Sequence, residues 1–265
     1  MTGSFEFWDA LAPHHGAVEN SYLDVPSIRR ILDSLHDPVL VVGAGQGLIV
    51  AELRHQGLQC DGLDLSPEMI RYARLRRGLT LVEADARAMP FAEGTYRTII
   101  YATGVIDFMD DEEEVGVILR EGRRVVQQPG NIIVAFYKLS PALQAFSARV
   151  GLLRDNALFC KQSLAIYLLN PAQMVSWVAH QAGVSLFRAA TMLLAMSVST
   201  TMQEKAITFR MQRIFKDKSA AIALLNAAPE RQPYRDEAEI RNVFRRLAIP
   251  IRQVRASGSC LMVQI

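Results

Sequence analysis

Three glycines at alternate positions, Gly43, Gly45 and Gly47, follow the apolar run Pro38 to Val42 and open a helical pattern. Glycine at such a junction lets the backbone turn tightly beneath a ligand, and the free N–H groups of the next helix face an anionic group. The dinucleotide fingerprint Gly-x-Gly-x-x-Gly would need its third glycine at position 48, which is Leu. The spacing Gly-x-Gly-x-Gly therefore points away from nicotinamide cofactors. Two acids extend the pattern. Asp64 ends the next apolar run, where a carboxylate can accept both hydroxyls of a ribose. Asp85, in Glu83-Ala84-Asp85-Ala86, ends the run after that, where it could accept the exocyclic amine of an adenine. Either acid alone reads equally well as a helix cap or a loop acid. Together, at successive strand ends beside the glycines, they outline an adenosine pocket at the carboxyl edge of a sheet.

The elements that must position these residues follow from periodicity. From 37 to 138, short apolar runs alternate with helical stripes, the pattern of a parallel sheet covered on both faces. Strands are expected over 38–42, 60–63, 79–84, 98–102 and 132–137. A helix over about 47–56 ends at Gly57, and a second, to Arg77, is introduced by the cap, proline and acid of Ser66-Pro67-Glu68. A third carries Val115, Ile118, Leu119 and Val125 and is expected to end at Pro129-Gly130. The strand rhythm then stops. Leu143, Phe146, Val150 and Leu153, then Met174, Val175 and Val178, and later Ile207, Met211, Ile214 and Phe215 are helix-spaced, so 139–233 reads as a helical insertion. The core resumes over 234–265 with a helix bearing Ile240, Val243 and Phe244, then a β-hairpin, Ile249 to Val254 and Leu261 to Ile265, around Ser257-Gly258-Ser259. An alternative places a helix and a sixth strand in Pro171 to Ala190; the contiguous ending is preferred. The expected fold class is α/β, a Rossmann-like doubly wound seven-stranded sheet, mostly parallel with an antiparallel C-terminal hairpin strand, plus the helical insertion. Residues 1–36 form an N-terminal helical lid in this scheme.

Composition narrows the function. A net charge of +2 over 265 residues gives no long-range pull toward nucleic acid. Cys60, Cys160 and Cys260 are odd in number and lack metal-ligand spacing, so no metal site is expected and a reducing, cytoplasmic setting fits. The first ten residues lack a basic flank and apolar segment of the secretory type. No apolar run approaches the ~20 residues of a membrane span, and the longest, Val184 to Val198, is expected to be buried. The cluster Arg71, Arg74, Arg76 and Arg77 reads as a solvated helix face.

The ordered segments Val39-Leu40-Val41-Val42-Gly43-Ala44-Gly45-Gln46-Gly47, Gly62-Leu63-Asp64-Leu65-Ser66-Pro67-Glu68-Met69, Glu83-Ala84-Asp85-Ala86 with Met89-Pro90-Phe91, and Glu121 to Arg124 with Pro129-Gly130 resemble the motifs of class I S-adenosylmethionine-dependent methyltransferases. The likeness covers about residues 37 to 138 and is nearest to the group holding ubiquinone/menaquinone-type and other small-molecule enzymes. It implies S-adenosyl-L-methionine as cofactor. By that resemblance Gly43, Ala44, Gly45 and Gly47 would line its methionyl part, Asp64 would take the ribose, and Leu65 would pack on the adenine. Asp85 would accept the adenine amine, Ala86 would meet the ring through its N–H, and Thr103 lies where the family holds the amino acid portion. One departure stands out: the acid usual two positions before the first glycine is Val41 here. The segment Phe7 to His15, with Tyr22 beyond, resembles the family's lid, whose aromatic residues would cover the sulfonium; packing of an ordinary N-terminal helix is the alternative.

Methyl transfer from a sulfonium is one in-line displacement, for which positioning and water exclusion supply most of the acceleration. A base is needed only for an acceptor that keeps its proton. His14, His15 and Asp107 are the candidates, with capping of the acidic helix at 110–114 the other reading of Asp107. Trp177 and His180 are assigned to packing within the insertion. No Asn-Pro-Pro-aromatic tetrad and no Pro-Cys pair occurs, which argues against nucleic acid as substrate. The expected acceptor is a small apolar or amphiphilic molecule. The alternatives are a quinone-biosynthesis C-methyltransferase at a membrane surface, favoured if the insertion exposes an apolar face, and a non-catalytic S-adenosylmethionine-binding protein. The Met-rich insertion (Met174, Met192, Met196, Met202, Met211) reads as a pocket roof, a homodimer interface or an ordinary helical subdomain.

Overall fold

Apolar runs and amphipathic stretches resolve into regular elements in the computed structural model, which describes residues 4–16, 25–257 and 260–265. Tyr22 and the hairpin residues Gly258 and Ser259 lie outside the described residues. Helices α1 (Ser4–His15) and α2 (Val25–Arg29) precede β1 (Val39–Val42), α3 (Leu48–His55), β2 (Cys60–Asp64) and α4 (Pro67–Arg77). Then come β3 (Val82–Glu83), β4 (Tyr96–Tyr101), α5 (Glu112–Val125) and β5 (Val126–Tyr137). Next are α6 (Pro141–Arg149), β6 (Leu153–Arg154), β7 (Ala157–Leu158), α7 (Cys160–Ala165), α8 (Pro171–Ala182), α9 (Leu186–Ser199), α10 (Met202–Ile214), α11 (Lys218–Ala227) and β8 (Gln232–Pro233). The chain closes with α12 (Glu237–Arg246), β9 (Gln253–Ser257) and β10 (Cys260–Gln264). Packing groups these into two compact units, residues 4–10 with Leu139–Tyr234, and Leu11–Lys138 with Arg235–Ile265.

The second unit holds the seven-stranded sheet, ordered β3-β2-β1-β4-β5-β10-β9. Strands β1 to β5 pair in parallel, and β10 runs antiparallel to both β5 and β9. Every residue of β1 is buried, because helices cover both faces and no solvent side remains for an alternating pattern. Leu40, Val42, Tyr101, Phe136 and Phe244 belong to one apolar layer, Val39, Val41, Ile100, Ala135 and Met262 to the other. Strand order reverses between β1 and β4, and ligands of such sheets bind outside the carboxyl ends at that point.

Helix ends obey their local chemistry. Ser66 accepts the Met69 N–H, Pro67 occupies the first turn, and Gly78 ends α4 with φ +64°. Asp111 caps α5, whose first turn is acidic and last turn basic, as the helix dipole favours.

The structure departs from expectation in five places, the first being β9, which runs Gln253–Ser257 and not Ile249–Val254. Leu79 and Leu81 are buried but stand outside the ladder, so β3 is only two residues long. Pro129-Gly130 does not end a helix; it lies inside β5, where the β4 register jumps from Tyr96–Val126 to Thr98–Asn131 because proline cannot donate to the ladder. Helix α6 stops at Arg149, and Leu153 pairs in a small three-stranded sheet, β6-β7-β8, of the first unit. Finally, Val184 to Val198 is not buried throughout. Within α9, Phe187 is 81%, Leu194 67% and Val198 74% exposed, because only the Ala189, Met192 and Leu193 side packs against Val150, Leu152 and Val178. Pro171 to Ala190 contains helix and no sixth strand. Among the described residues no single helix is long and apolar enough to cross a membrane.

One close approach reverses an ordinary rule. Tyr101 is fully buried and donates its hydroxyl to the Ile118 carbonyl at 2.9 Å, and a Cβ on Gly122 would meet that ring, 3.2 Å from Cζ. Replacing a mid-helix glycine by alanine normally stabilises by about 1 kcal/mol. Here Gly122→Ala is expected to destabilise by about 1–3 kcal/mol through overpacking. The thermal midpoint should fall by roughly 2–4 °C per kcal/mol, and a rise would contradict the packing described.

Candidate functional site

The turn from β1 into α3 is built on left-handed backbone. Gly43, Gly45 and Gly47 have φ of +72°, +53° and +80°. Gly47 is also sterically locked, since a Cβ there would sit 2.5 Å from Leu79 Cδ1. Backbone bonds tighten the turn: the Ala44 N–H donates to the Leu63 carbonyl at 2.9 Å, and the Gly47 N–H to the Ala44 carbonyl at 2.8 Å. Gly43 and Gly45 are half-buried; a Cβ on Gly43 would collide with Val105 Cγ2, and one on Gly45 would sit 3.4 Å from His15 Cε1.

Asp64 fastens this turn to the end of β2. Its Oδ2 accepts the Gly45 N–H at 2.7 Å, and its Oδ1 accepts the Ser66 N–H at 2.9 Å. The carboxylate is buried, and these two bonds hold it at the sheet edge between the glycine turn and the start of α4. Leu65 follows it and is 44% exposed. Val41 is buried in the apolar layer with Val39 and Ile100, so no charge reaches the loop from that position.

Asp85 is more committed than its position in the sequence suggested. It accepts the Arg87 backbone N–H at 2.8 Å, and the Arg87 guanidinium bonds both its oxygens through Nε and Nη2. That side-chain bond holds the carboxyl below its usual range. Ala86 is half-buried against the sheet, and Thr103 lies buried just past β4.

A second set of contacts ties the end of α1 to the glycine turn. Buried Gln46 donates from Nε2 to the Ala12 carbonyl at 2.5 Å and accepts from Arg76 Nη1 at 2.7 Å. Arg76 Nη2 donates to the Pro13 carbonyl at 2.9 Å, and Arg77 Nη1 to the Gln46 carbonyl at 3.0 Å. The Gln46 amide and Arg76 Nη2 thereby satisfy the Ala12 and Pro13 carbonyls, which the end of α1 leaves without helical partners. Arg76 keeps the exposure expected of a solvated face but is also bonded to the loop, and Arg77 is half-buried against it. Arg71 does stay outside, pairing with Glu68 at 2.8 Å, but the last turn of α4 aims Arg76 and Arg77 at the loop. Gln46 had no role in the sequence reading; its only signal was a long amide inside a loop of small residues.

His15 is buried beside this latch, with Cε1 3.4 Å from where a Cβ on Gly45 would lie. Burial, and then the charges of Arg77 and Arg76, lower its pKa from 6.5 to about 4, so it is neutral at pH 7. His14, its neighbour, is half-buried. Asp107 sits elsewhere. Its Oδ2 accepts the Gly104 and Tyr137 N–H groups, both at 3.1 Å, so it pins the loop after β4 to the end of β5 and leaves the capping of α5 to Asp111. Arg235, itself buried, donates to the Ile106 and Met109 carbonyls of the same loop at 3.3 and 2.6 Å. Burial pushes the Asp107 carboxyl up to about 6, against the lowering effect of the two N–H groups and of Arg235. The structure thus brings His15 to the glycine turn and places Asp107 in a loop brace. The aromatic residues Phe7 and Trp8 pack edge to face, 5.3 Å between centroids, in the other unit.

These two buried groups act oppositely on stability. His15 resists protonation in the fold but not in the unfolded chain, so its contribution, present above pH 6.5, is lost as pH falls toward 4, by about 3 kcal/mol. Asp107 prefers its proton in the fold, so its contribution is present below pH 3.8 and is lost as pH rises through about 6. Urea midpoints between about pH 6.5 and pH 4.5 should therefore fall less for His15→Gln than for the unaltered protein, and more for Asp107→Asn.

Comparison with known proteins places this geometry. Residues 40–134 match the family model described as a methyltransferase domain. The demethylmenaquinone methyltransferase of Thermus thermophilus is 32% identical over 123 residues, 44% of this chain and 51% of that protein. The ubiquinone biosynthesis O-methyltransferase of Xanthomonas oryzae pv. oryzae is 26% identical over 178 residues, 65% of this chain and 73% of that protein. The chain spans about half the length of the demethylmenaquinone methyltransferases it matches. Among solved structures, a Pyrococcus horikoshii protein aligns with a TM-score of 0.54 at 14% identity, covering 91% of this chain and 87% of its own. A SAM-dependent methyltransferase of Methanosarcina mazei aligns at 0.53 with 12% identity, covering 89% and 95%; both share the fold. With the sheet order, the left-handed glycine turn and the matching motifs together, residues 40–134 are a class I S-adenosylmethionine-dependent methyltransferase domain.

Proposed function

We propose that the protein moves a methyl group from S-adenosylmethionine to a small apolar or amphiphilic acceptor. The observation that carries the reading is the Asp64 carboxylate held against the Gly45 N–H at the switch point of the sheet. The residues present suit the donor: a turn of left-handed glycines, a buried acid braced against it at the end of β2, and an exposed leucine beside that acid. The donor supplies a methyl already activated by a sulfonium, so this chain's residues bind, orient and exclude water. In this reading Gly43, Ala44, Gly45 and Gly47 cradle the methionyl part with Thr103, Asp64 holds the ribose hydroxyls, and Leu65 covers the adenine. Asp85 and the Ala86 N–H meet the adenine edge, with Arg87 as a competitor for Asp85.

The electrostatics favour transfer without a strong enzyme base. His15, held at about 4, is a weak proton acceptor and serves better as an apolar cover over Gly45. Asp107 already spends one oxygen on two backbone groups. An acceptor that is ionised or nucleophilic through an activated ring carbon at neutral pH fits this arrangement, with His14 the remaining base for one that is not. The matched relatives are named for demethylmenaquinone and for ubiquinone biosynthesis, which supports an aromatic, quinone-type acceptor.

Calorimetry with S-adenosylhomocysteine and transfer of a labelled methyl group to demethylated quinone precursors test this reading. The product should bind, Asp64→Ala should weaken it at least about tenfold, equivalent to one lost charge-assisted bond, and Asp85→Ala should weaken it less because Arg87 already shares that carboxylate. Absence of binding, or unchanged binding by Asp64→Ala, overturns the donor site. Binding without transfer to any acceptor in a cell extract would leave a donor-binding protein in place of an enzyme.

A further inference from the structure

We propose that helix α9 is an interfacial element through which the unit Leu139–Tyr234 docks on an anionic lipid surface. On α9 the exposed side chains Phe187, Leu194 and Val198 fall at i, i+7 and i+11, which places them along one stripe about three turns long. The opposite side is fixed to its own unit through Ala189, Met192 and Leu193, so the stripe is presented by a packed helix and not by a loose one. Contiguous exposed apolar residues of this size mark an interaction surface. Helices α8 and α9 meet at 105°, which sets α9 apart as a separate element that can lie along a surface.

Charge selects the occupant. Positions 156–203 contain no Asp or Glu at all, while Lys161 and Arg188 lie among them. Helix α10 then adds exposed Lys205 and Arg213 beside Met202 and Phe209, which are 81% and 63% exposed. Residues 139–234 carry ten Lys and Arg against four Asp and Glu, although the whole chain is only +2. One of those four, Glu204, is buried and accepts the Ser140 and Thr201 N–H groups, so it does not offset the surface charge. Exposed apolar residues on α9 and α10, accompanied on the same helices by the exposed bases Arg188, Lys205 and Arg213 and by no exposed acid, are the pattern of helices lying in the headgroup region of an anionic bilayer. A second copy of this chain fits less well, because a twofold contact would set the same cationic surface against itself.

Docking does not rest on the methyl-transfer reading and is measured without donor. The full chain is sedimented with vesicles of phosphatidylcholine alone, and with vesicles in which about a third is phosphatidylglycerol. We expect binding to the anionic vesicles that is at least about tenfold weaker on the neutral ones, each Lys or Arg contributing roughly fivefold. Phe187→Ser with Leu194→Ser should weaken binding a further tenfold or so, and Lys205→Glu with Arg213→Glu should weaken it and flatten its salt dependence. These side chains are exposed, so thermal unfolding and S-adenosylhomocysteine binding of the variants should match the unaltered protein, which separates a failure here from a failure of the donor site. Equal affinity for both vesicles, no binding at all, or unchanged binding by the serine variant overturns the proposal. So does a dimer in sedimentation velocity that the serine variant abolishes, which would assign the face to a second copy.

Discussion

The hydrogen bond from the Gly45 N–H to Asp64 fixes the relation on which the candidate site depends, because it joins the turn after β1 to the end of β2 across the sheet edge. A left-handed turn alone is a permissive geometry that glycine can leave as readily as adopt. Held to a charged acceptor, and blocked underneath by Leu79, it becomes a fixed concave surface. The parallel pairing of β1 with β2 supplies the register that makes the bond available, Val42 lying opposite Leu63. The buried valine at 41 puts no charge into the turn, so Asp64 is the acid that organises it.

Around that bond the protein places two further braces of similar construction. Gln46 with Arg76 and Arg77 ties the end of α1 to the glycine turn, and Asp107 with Arg235 ties the loop after β4 to the end of β5. Each uses a buried polar side chain to satisfy backbone groups that regular structure leaves open, which is what burial of such groups demands. The cost appears in the ionisation of the two central residues, His15 pushed toward neutrality and Asp107 toward its protonated form. Groups shifted this way often mark active sites, yet structural networks shift them too: Asp107 is bonded to backbone N–H groups of its own loop and of β5, and His15 is shifted by burial beside Arg77 and Arg76.

Most of the sheet was legible in the sequence because its determinants are local. Apolar runs bounded by glycine, the Ser66-Pro67 start of α4 and the Gly78 end of it each act within a few residues. The glycine turn and Asp64 were legible as types at a spacing. What escaped depended on contacts between distant segments. The partners of Arg76 and Arg77 are about 30 residues away in Gln46 and about 63 in Pro13, and Arg235 reaches back to Ile106 and Met109. Asp85 looked available because its neighbour two positions on, Arg87, could equally have turned to solvent. The exposure of α9 was hidden for a related reason: a helix that is apolar all round has no periodic polar face to announce which side the fold will leave bare.

The sheet is completed by a strand that arrives late. β10 lies between β5 and β9, with Cys260 opposite Tyr137, so the hydrogen-bonding edge of β5 stays open until more than a hundred further residues have left the ribosome. The stretch that β10 covers runs from Ile133 to Tyr137 and includes Val134 and Phe136. Open apolar edges of this kind template pairing with other chains. The intervening helices settle through short-range contacts and can form during the wait, whereas the edge cannot protect itself. Keeping that stretch from pairing elsewhere until β10 emerges is therefore a condition that the strand order places on folding.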